Sequence, residues 1–172
     1  MHIKYYLFAM RHMAIFLAVF SINTLSQAQN CLVVSVTDGD TIKVRCGEQG
    51  VYEQITIRLA EIDAPERKQA FGNRAKDALG ALCHEAIATI KPTTKDRYGR
   101  IVARVECRGV DANSAMVKQG MAWAYTKYQT DPIFPQLELQ ARAKRIGLWV
   151  DLKSVKSPVA PWEWRKLPKE ER

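Results

Sequence analysis

The sequence predicts an α+β domain built on a five-stranded, OB-type Greek-key β-barrel with about three helices. Three observations predict it. Three consecutive β-branched segments, 32–37, 41–46 and 51–60, open the domain, with turn residues between them. A helical stretch with an apolar stripe separates the third segment from the fourth. Two more strand-like segments, 87–91 and 101–107, complete the five. The same elements also fit a generic α+β sheet. The 172 residues, 47% of them apolar and 26% charged, suffice for one domain with a sizeable core.

The first 28 residues read as a secretory signal. Lys4 and Arg11 precede the apolar run Ala14–Phe20, and Ser26-Gln27-Ala28 offers small residues at a cleavage site. An uncleaved anchor is the alternative, but the unbroken run is well short of the ~20 residues of a span. The mature chain then has no membrane span. The domain proper is expected over 29–150.

Leu32–Thr37 and Thr41–Cys46 flank Asp38-Gly39-Asp40 and form a hairpin signature. Glu48–Gly50 is a second turn. Val51–Ala60 sets Ile55, Ile57 and Leu59 against Gln54, Thr56 and Arg58, the period of a strand. A helix is expected from about Gly72 to His84, with Ala75, Leu79, Leu82 and Cys83 as its apolar stripe. Pro92 is expected to close the fourth strand, with Thr93–Gly99 as a polar loop. Asn113 suits the N-cap of a short helix over 114–119, stopped by Gly120. Asp131-Pro132 and Pro135 introduce a last helix with Leu137, Leu139, Ala141, Ala143 and Ile146 on its apolar face, ended by Gly147. The tail, 151–172, is expected to wrap the domain through Trp162 and Trp164 and then fray.

The net charge is +8, and loss of residues 1–28 leaves +6, because Lys4 and Arg11 go and no acid does. A cationic small domain suggests a polyanionic partner, nucleic acid first. Four cysteines, at 31, 46, 83 and 107, suggest two disulfides in an exported protein. Cys31 falls nearly opposite Cys46 across the first hairpin, which leaves Cys83 for Cys107. Zinc is a poor alternative, for there is no C-x-x-C pair and His84 is the one histidine after residue 28.

Three polar motifs interrupt this scaffold: Asp38-Gly39-Asp40-Thr41, Arg58-Leu-Ala-Glu-Ile-Asp63-Ala64-Pro65-Glu66, and Asp96-Arg97-Tyr98-Gly99-Arg100. Each alone fits an ordinary turn or charged loop. Together they form an oxygen-rich, nitrogen-poor donor set flanked by arginines, which suits a hard cation and a phosphate. Arg58 and Asp63 are five residues apart, so they converge only if the strand bends or ends near Ile62, before Pro65.

In this order, over roughly Leu32 to Trp149, the motifs resemble the thermonuclease family, the staphylococcal-nuclease-like domains. The Pro161-Trp-Glu-Trp-Arg165 segment resembles the tail of exported bacterial members. The resemblance implies that Asp40, Asp63 and the backbone carbonyl of Ala64 bind Ca²⁺. It implies that Glu66 serves as general base and that Arg58 and Arg100 clamp the phosphate. Arg97 and Tyr98 stand where family members contact phosphate; an ordinary turn tyrosine is the alternative for Tyr98. Trp123 and Tyr125 fall where family aromatics line a base pocket, with core packing as the rival role. Ala64 replaces a threonine and Glu106 a usual aromatic. Thirteen residues separate Val44 from Arg58, about three more than the pattern, and a longer second turn is expected to absorb them.

The implied protein is an exported, periplasmic or secreted, monomeric Ca²⁺-dependent endonuclease. It would cleave DNA and RNA with little sequence preference and leave 3′-phosphate ends. The rival from another class is a non-catalytic OB-fold nucleic-acid-binding module.

Overall fold

A computed structural model describes residues 27–150 and 158–172. The expected signal segment therefore lies almost wholly outside the described residues, as does the start of the tail, 151–157. β1 (Gln29–Asp38), β2 (Thr41–Glu48) and β3 (Val51–Leu59) form a continuous antiparallel meander, followed by a short β4 (Ile62–Asp63). After α1 (Gly72–Cys83) come β5 (Ile87–Lys95), β6 (Ile101–Cys107) and β7 (Val110–Asp111). Then follow α2 (Ala112–Lys118), β8 (Trp123–Ala124), α3 (Ile133–Ala143) and the one-turn α4 (Pro161–Trp164).

The main sheet runs β3-β2-β1-β5-β6-β7, and a parallel pairing of β3 with β6 closes its first five strands into a barrel. Ile57 lies beside Ile101, Arg58 beside Val102 and Leu59 beside Ala103. Closure removes the exposed edges that a five-stranded open sheet would carry. Alternation fills the interior: Val33, Ile42, Val44, Ile57, Leu59, Ala103 and Val105 are buried, and Ala75, Leu79 and Cys83 of α1 pack on them. A second apolar cluster of Trp123, Ala141, Leu148 and Trp149 receives Trp162 from the tail. Among the described residues no helix is long and apolar enough to cross a membrane.

Several local expectations need correction. The surplus residues between Val44 and Arg58 lengthen β2 and β3, whose pairing runs out to Glu48 opposite Val51, so the second turn stays tight. Pro92 does not end its strand. Pro92 still faces Ala103, and an irregularity between Pro92 and Thr94 lets pairing resume to Lys95. The strand bends at Ala60-Glu61, where Glu61 takes φ 65°, before Ile62 is reached. Leu139 is exposed, and Phe134 takes the core position on α3 with Leu137 and Ala141.

Asn113 is not the cap of α2. Asp111 is, accepting from the Ser114 N–H at 3.1 Å and from its hydroxyl at 2.9 Å. Asn113 is instead fully buried inside the helix's first turn. Its Oδ1 accepts from the Val105 N–H at 2.9 Å, and its Nδ2 donates to the Ala60 carbonyl at 2.8 Å and the Ala103 carbonyl at 3.2 Å. One side chain thus clips the end of β3 to β6 at the barrel seam.

The two disulfides are Cys31–Cys46, across the β1–β2 hairpin, and Cys83–Cys107, from the end of α1 to the end of β6, with Cα separations of 4.5 and 5.2 Å. Both match the pairing expected from the hairpin. Non-reducing peptide mapping should recover these two linkages. A crossed pairing would contradict the β1–β2 register, and loss of either bridge is expected to cost about 2–4 kcal/mol.

Candidate active site

The site lies where the β1–β2 turn, the β3–β4 bend and the β5–β6 loop meet. Gly39 makes the first approach possible. A Cβ there would sit 2.6 Å from the Ala75 Cβ and 2.7 Å from the Ala64 Cβ, so this turn can lie against α1 only as glycine. That packing delivers Asp40, which is buried, beside Ala64, whose N–H donates to Asp40 Oδ2 at 2.9 Å. Gly72 does the same for the next loop, because a Cβ on it would meet the Glu66 carbonyl at 2.0 Å. Glu66 is further fixed by Gln69, which accepts from the Glu66 N–H at 3.1 Å and donates its own N–H to the Glu66 carbonyl at 2.8 Å.

Arg58 is the centre of the cluster. Its Nη1 donates to the Leu59 and Ile62 carbonyls at 3.1 and 3.0 Å, and these bonds hold the guanidinium inside the bend. Its Nη2 donates to Asp63 Oδ1 at 2.7 Å and to Asp40 Oδ2 at 3.3 Å. Two carboxylates from different segments therefore converge on one nitrogen. β4 carries Asp63 fully buried, paired in register with Trp123 of β8.

The sequence reading missed a second arginine. Arg165, from the turn after α4, donates to Asp63 Oδ2 at 2.6 Å and to Asp63 Oδ1 at 3.3 Å. It also donates to Glu66 Oε1 at 2.7 Å. Burial works against both guanidinium charges, yet Asp40 and Asp63 hold Arg58, and Asp63 and Glu66 hold Arg165, above the ordinary arginine range. Burial pushes the Asp63 carboxyl up to about 6 against the pull of both arginines, and the nearby Asp40 charge adds to the rise. Burial and Asp40 likewise push Asp38 up to about 6. The acids, not the arginines, carry the strain of the crowded site.

Across the cleft, Asp96 organises the third motif, accepting from the Tyr98 and Arg100 N–H groups at 2.9 and 3.0 Å and from Arg100 Nε at 2.7 Å. The guanidinium groups of Arg97 and Arg100 lie 4.8 and 5.6 Å from the Tyr98 ring centre. Tyr125 is placed by its N–H bond to the Glu61 carbonyl at 2.8 Å and stacks on Trp162, with 5.3 Å between ring centres and 5° between planes. Glu61 in turn is anchored by Thr130, Asp131 and Arg104.

One cleft of about 840 Å³ brings together Asp40, Arg58, Asp63, Ala64, Glu66, Arg97, Tyr98, Arg100 and Tyr125. Trp123 is not in it. Its backbone faces Asp63, but its ring turns into the second apolar cluster, edge-on to Trp149 at 5.2 Å. Asp38, Tyr128 and Arg165 also line the cleft. Asp38 stood within a motif already singled out, and the Trp-Glu-Trp-Arg run in a charged tail was the available signal for Arg165.

Among the described residues no group of three or more His, Cys, Asp or Glu side chains is set out as a metal cluster. The donor chemistry nonetheless fits a hard cation: the buried carboxylates of Asp40 and Asp63 converge on one guanidinium nitrogen of Arg58.

Comparison with known proteins agrees with this arrangement. The model of the staphylococcal nuclease homologue family matches residues 56–151. An uncharacterized endonuclease of Haemophilus influenzae is 43% identical over 155 residues, covering 89% of this chain and 83% of that protein. An uncharacterized endonuclease of Escherichia coli is 39% identical over 156 residues, covering 90% of this chain and 97% of its own length. A micrococcal nuclease of Shigella flexneri is 38% identical over 148 residues, covering 80% of each chain.

Proposed function

Because the chain belongs to the staphylococcal nuclease homologue family, we propose that it is a Ca²⁺-dependent endonuclease. It hydrolyses phosphodiester bonds of DNA and RNA and leaves 5′-hydroxyl and 3′-phosphate ends. The observation that carries this reading is the convergence of Asp40, Asp63 and Arg58 in one cleft, with Glu66 beside them and Arg100 opposite. Two disulfides fit an oxidising compartment, so we assign the protein to the periplasm or the medium.

Asp40, Asp63 and the Ala64 carbonyl would hold the cation. When bound, it supplies Lewis-acid polarisation of a phosphoryl oxygen and lowers the pKa of an adjacent water. Glu66 accepts the proton of the attacking water. Water oxygen bonds to phosphorus as the P–O5′ bond breaks, and the charge that develops on the equatorial oxygens is met by Arg58 and Arg100. Both are arginines because a planar guanidinium can donate two bonds and stays charged in a site this acidic. Arg97 and Tyr98 contact neighbouring phosphates, and Tyr125 offers a ring to a base. The groups in this scheme address backbone and ring faces, not base edges, so sequence preference is low.

The test is incubation of the purified protein with plasmid DNA and with RNA, in Ca²⁺ and in chelator. Cleavage in Ca²⁺ alone, with 3′-phosphate ends on the products, is expected. Binding without cleavage at any Ca²⁺ concentration would overturn the enzyme reading in favour of a nucleic-acid-binding module.

A further inference from the structure

We propose that residues 158–165 form an intramolecular latch whose Arg165 occupies the cation position of the cleft and is displaced when a divalent cation binds. This inference rests on the Asp40–Asp63 cation site proposed above. Arg165 engages both oxygens of Asp63, at 2.6 and 3.3 Å, and one oxygen of Glu66, at 2.7 Å. Asp63 is fully buried, and among the described residues Arg58 is the other side chain that donates to it. The lone pairs a cation needs from this carboxylate are thus taken by two guanidinium groups, and Arg58 cannot withdraw because the Leu59 and Ile62 carbonyls fix it inside the bend. Arg165, about two-fifths exposed, can withdraw.

The rest of the tail segment is anchored beside the cleft. Trp162 lies flat on Tyr125, the cleft's half-buried aromatic, and packs against the second apolar cluster. The attachment is built from a few separable contacts. Gln69, which also holds the Glu66 backbone, donates to the Val159 carbonyl. Pro161 is buried, and α4 is a single turn. Arginine and cation therefore compete for one carboxylate, which makes cation affinity lower than the acids alone would give.

The experiment is calorimetric titration of Ca²⁺ into the full-length protein and its Arg165→Gln variant, without nucleic acid, after circular dichroism shows both folded. Arg165→Gln is expected to bind Ca²⁺ roughly tenfold more tightly, within the usual range for coupling between two occupants of one site. Arg165→Lys, which keeps the charge, is expected to stay closer to the parent. In the parent, hydrogen exchange of the 158–165 backbone is expected to speed up on adding Ca²⁺. Equal or weaker Ca²⁺ binding by Arg165→Gln overturns the latch and leaves the calcium site standing. No binding by either protein overturns both.

Discussion

Glu66→Gln is expected to lower phosphodiester cleavage by roughly 10²–10⁴-fold with no change in thermal unfolding, the loss typical of removing a general base. The structure separates the two effects. The Glu66 side chain is two-fifths exposed and its one described side-chain partner is Arg165. Its position is set by the backbone, through Gln69 and the close approach of Gly72, and neither depends on the carboxylate. Glutamine keeps an oxygen for Arg165 but loses the negative charge and the ability to take a proton. Single-turnover cleavage at saturating substrate and Ca²⁺ reads the chemical step directly. A rate within about threefold of the parent would remove Glu66 from that role.

Asn113→Leu is expected to destabilise the fold by about 2–5 kcal/mol. Leucine keeps the branching at Cγ but is bulkier, and it strands the Val105 N–H and the Ala60 carbonyl in the core, at about 1–3 kcal/mol each. The Ala103 carbonyl keeps its bond from the Ala60 N–H at 2.8 Å, so it adds little. Calorimetry should show the midpoint fall by about 10 °C. A fall of less than about 2 °C would mean that the seam between β3 and β6 does not depend on this amide.

The parts of this molecule that a sequence states well are those whose partners are close along the chain or whose chemistry demands a residue type. The Asp38–Asp40 turn and the β1–β2 register follow from a glycine between β-branched runs, and the Cys31–Cys46 pairing follows from that register. The three polar motifs share one cleft because each sits at a turn or bend where the barrel narrows to the same end. Asn113 was misjudged because an amide before a helical run is the usual cap, and only the tertiary seam shows what else an amide can serve. Pro92 was misjudged because a missing N–H ends most strands, whereas a local irregularity in the β5–β6 ladder absorbs it here. Trp123 and Tyr125 would share a face in a continuous strand, but β8 ends at Ala124, so Trp123 packs edge-on against Trp149 while Tyr125, beyond the strand, lines the cleft. Arg165 lies 102 residues from Asp63; the Trp-Glu-Trp-Arg run marks its segment, but only the tertiary fold shows that it reaches the acid.

The parallel pairing of β3 with β6 has a consequence for the newly made chain. It joins segments more than forty residues apart and places Arg58 beside Val102, two residues beyond Arg100. The cleft therefore does not exist in the β1–β2 or β2–β3 hairpin alone; it requires the long-range pairing of β3 with β6. Non-local closures of this kind form slowly relative to hairpins and helices. It follows that a chain still emerging, or one cut between β3 and β6 before folding, carries the motifs without the tool. Assembly of the site is thus tied to completion of the fold, not to synthesis of the acids and arginines.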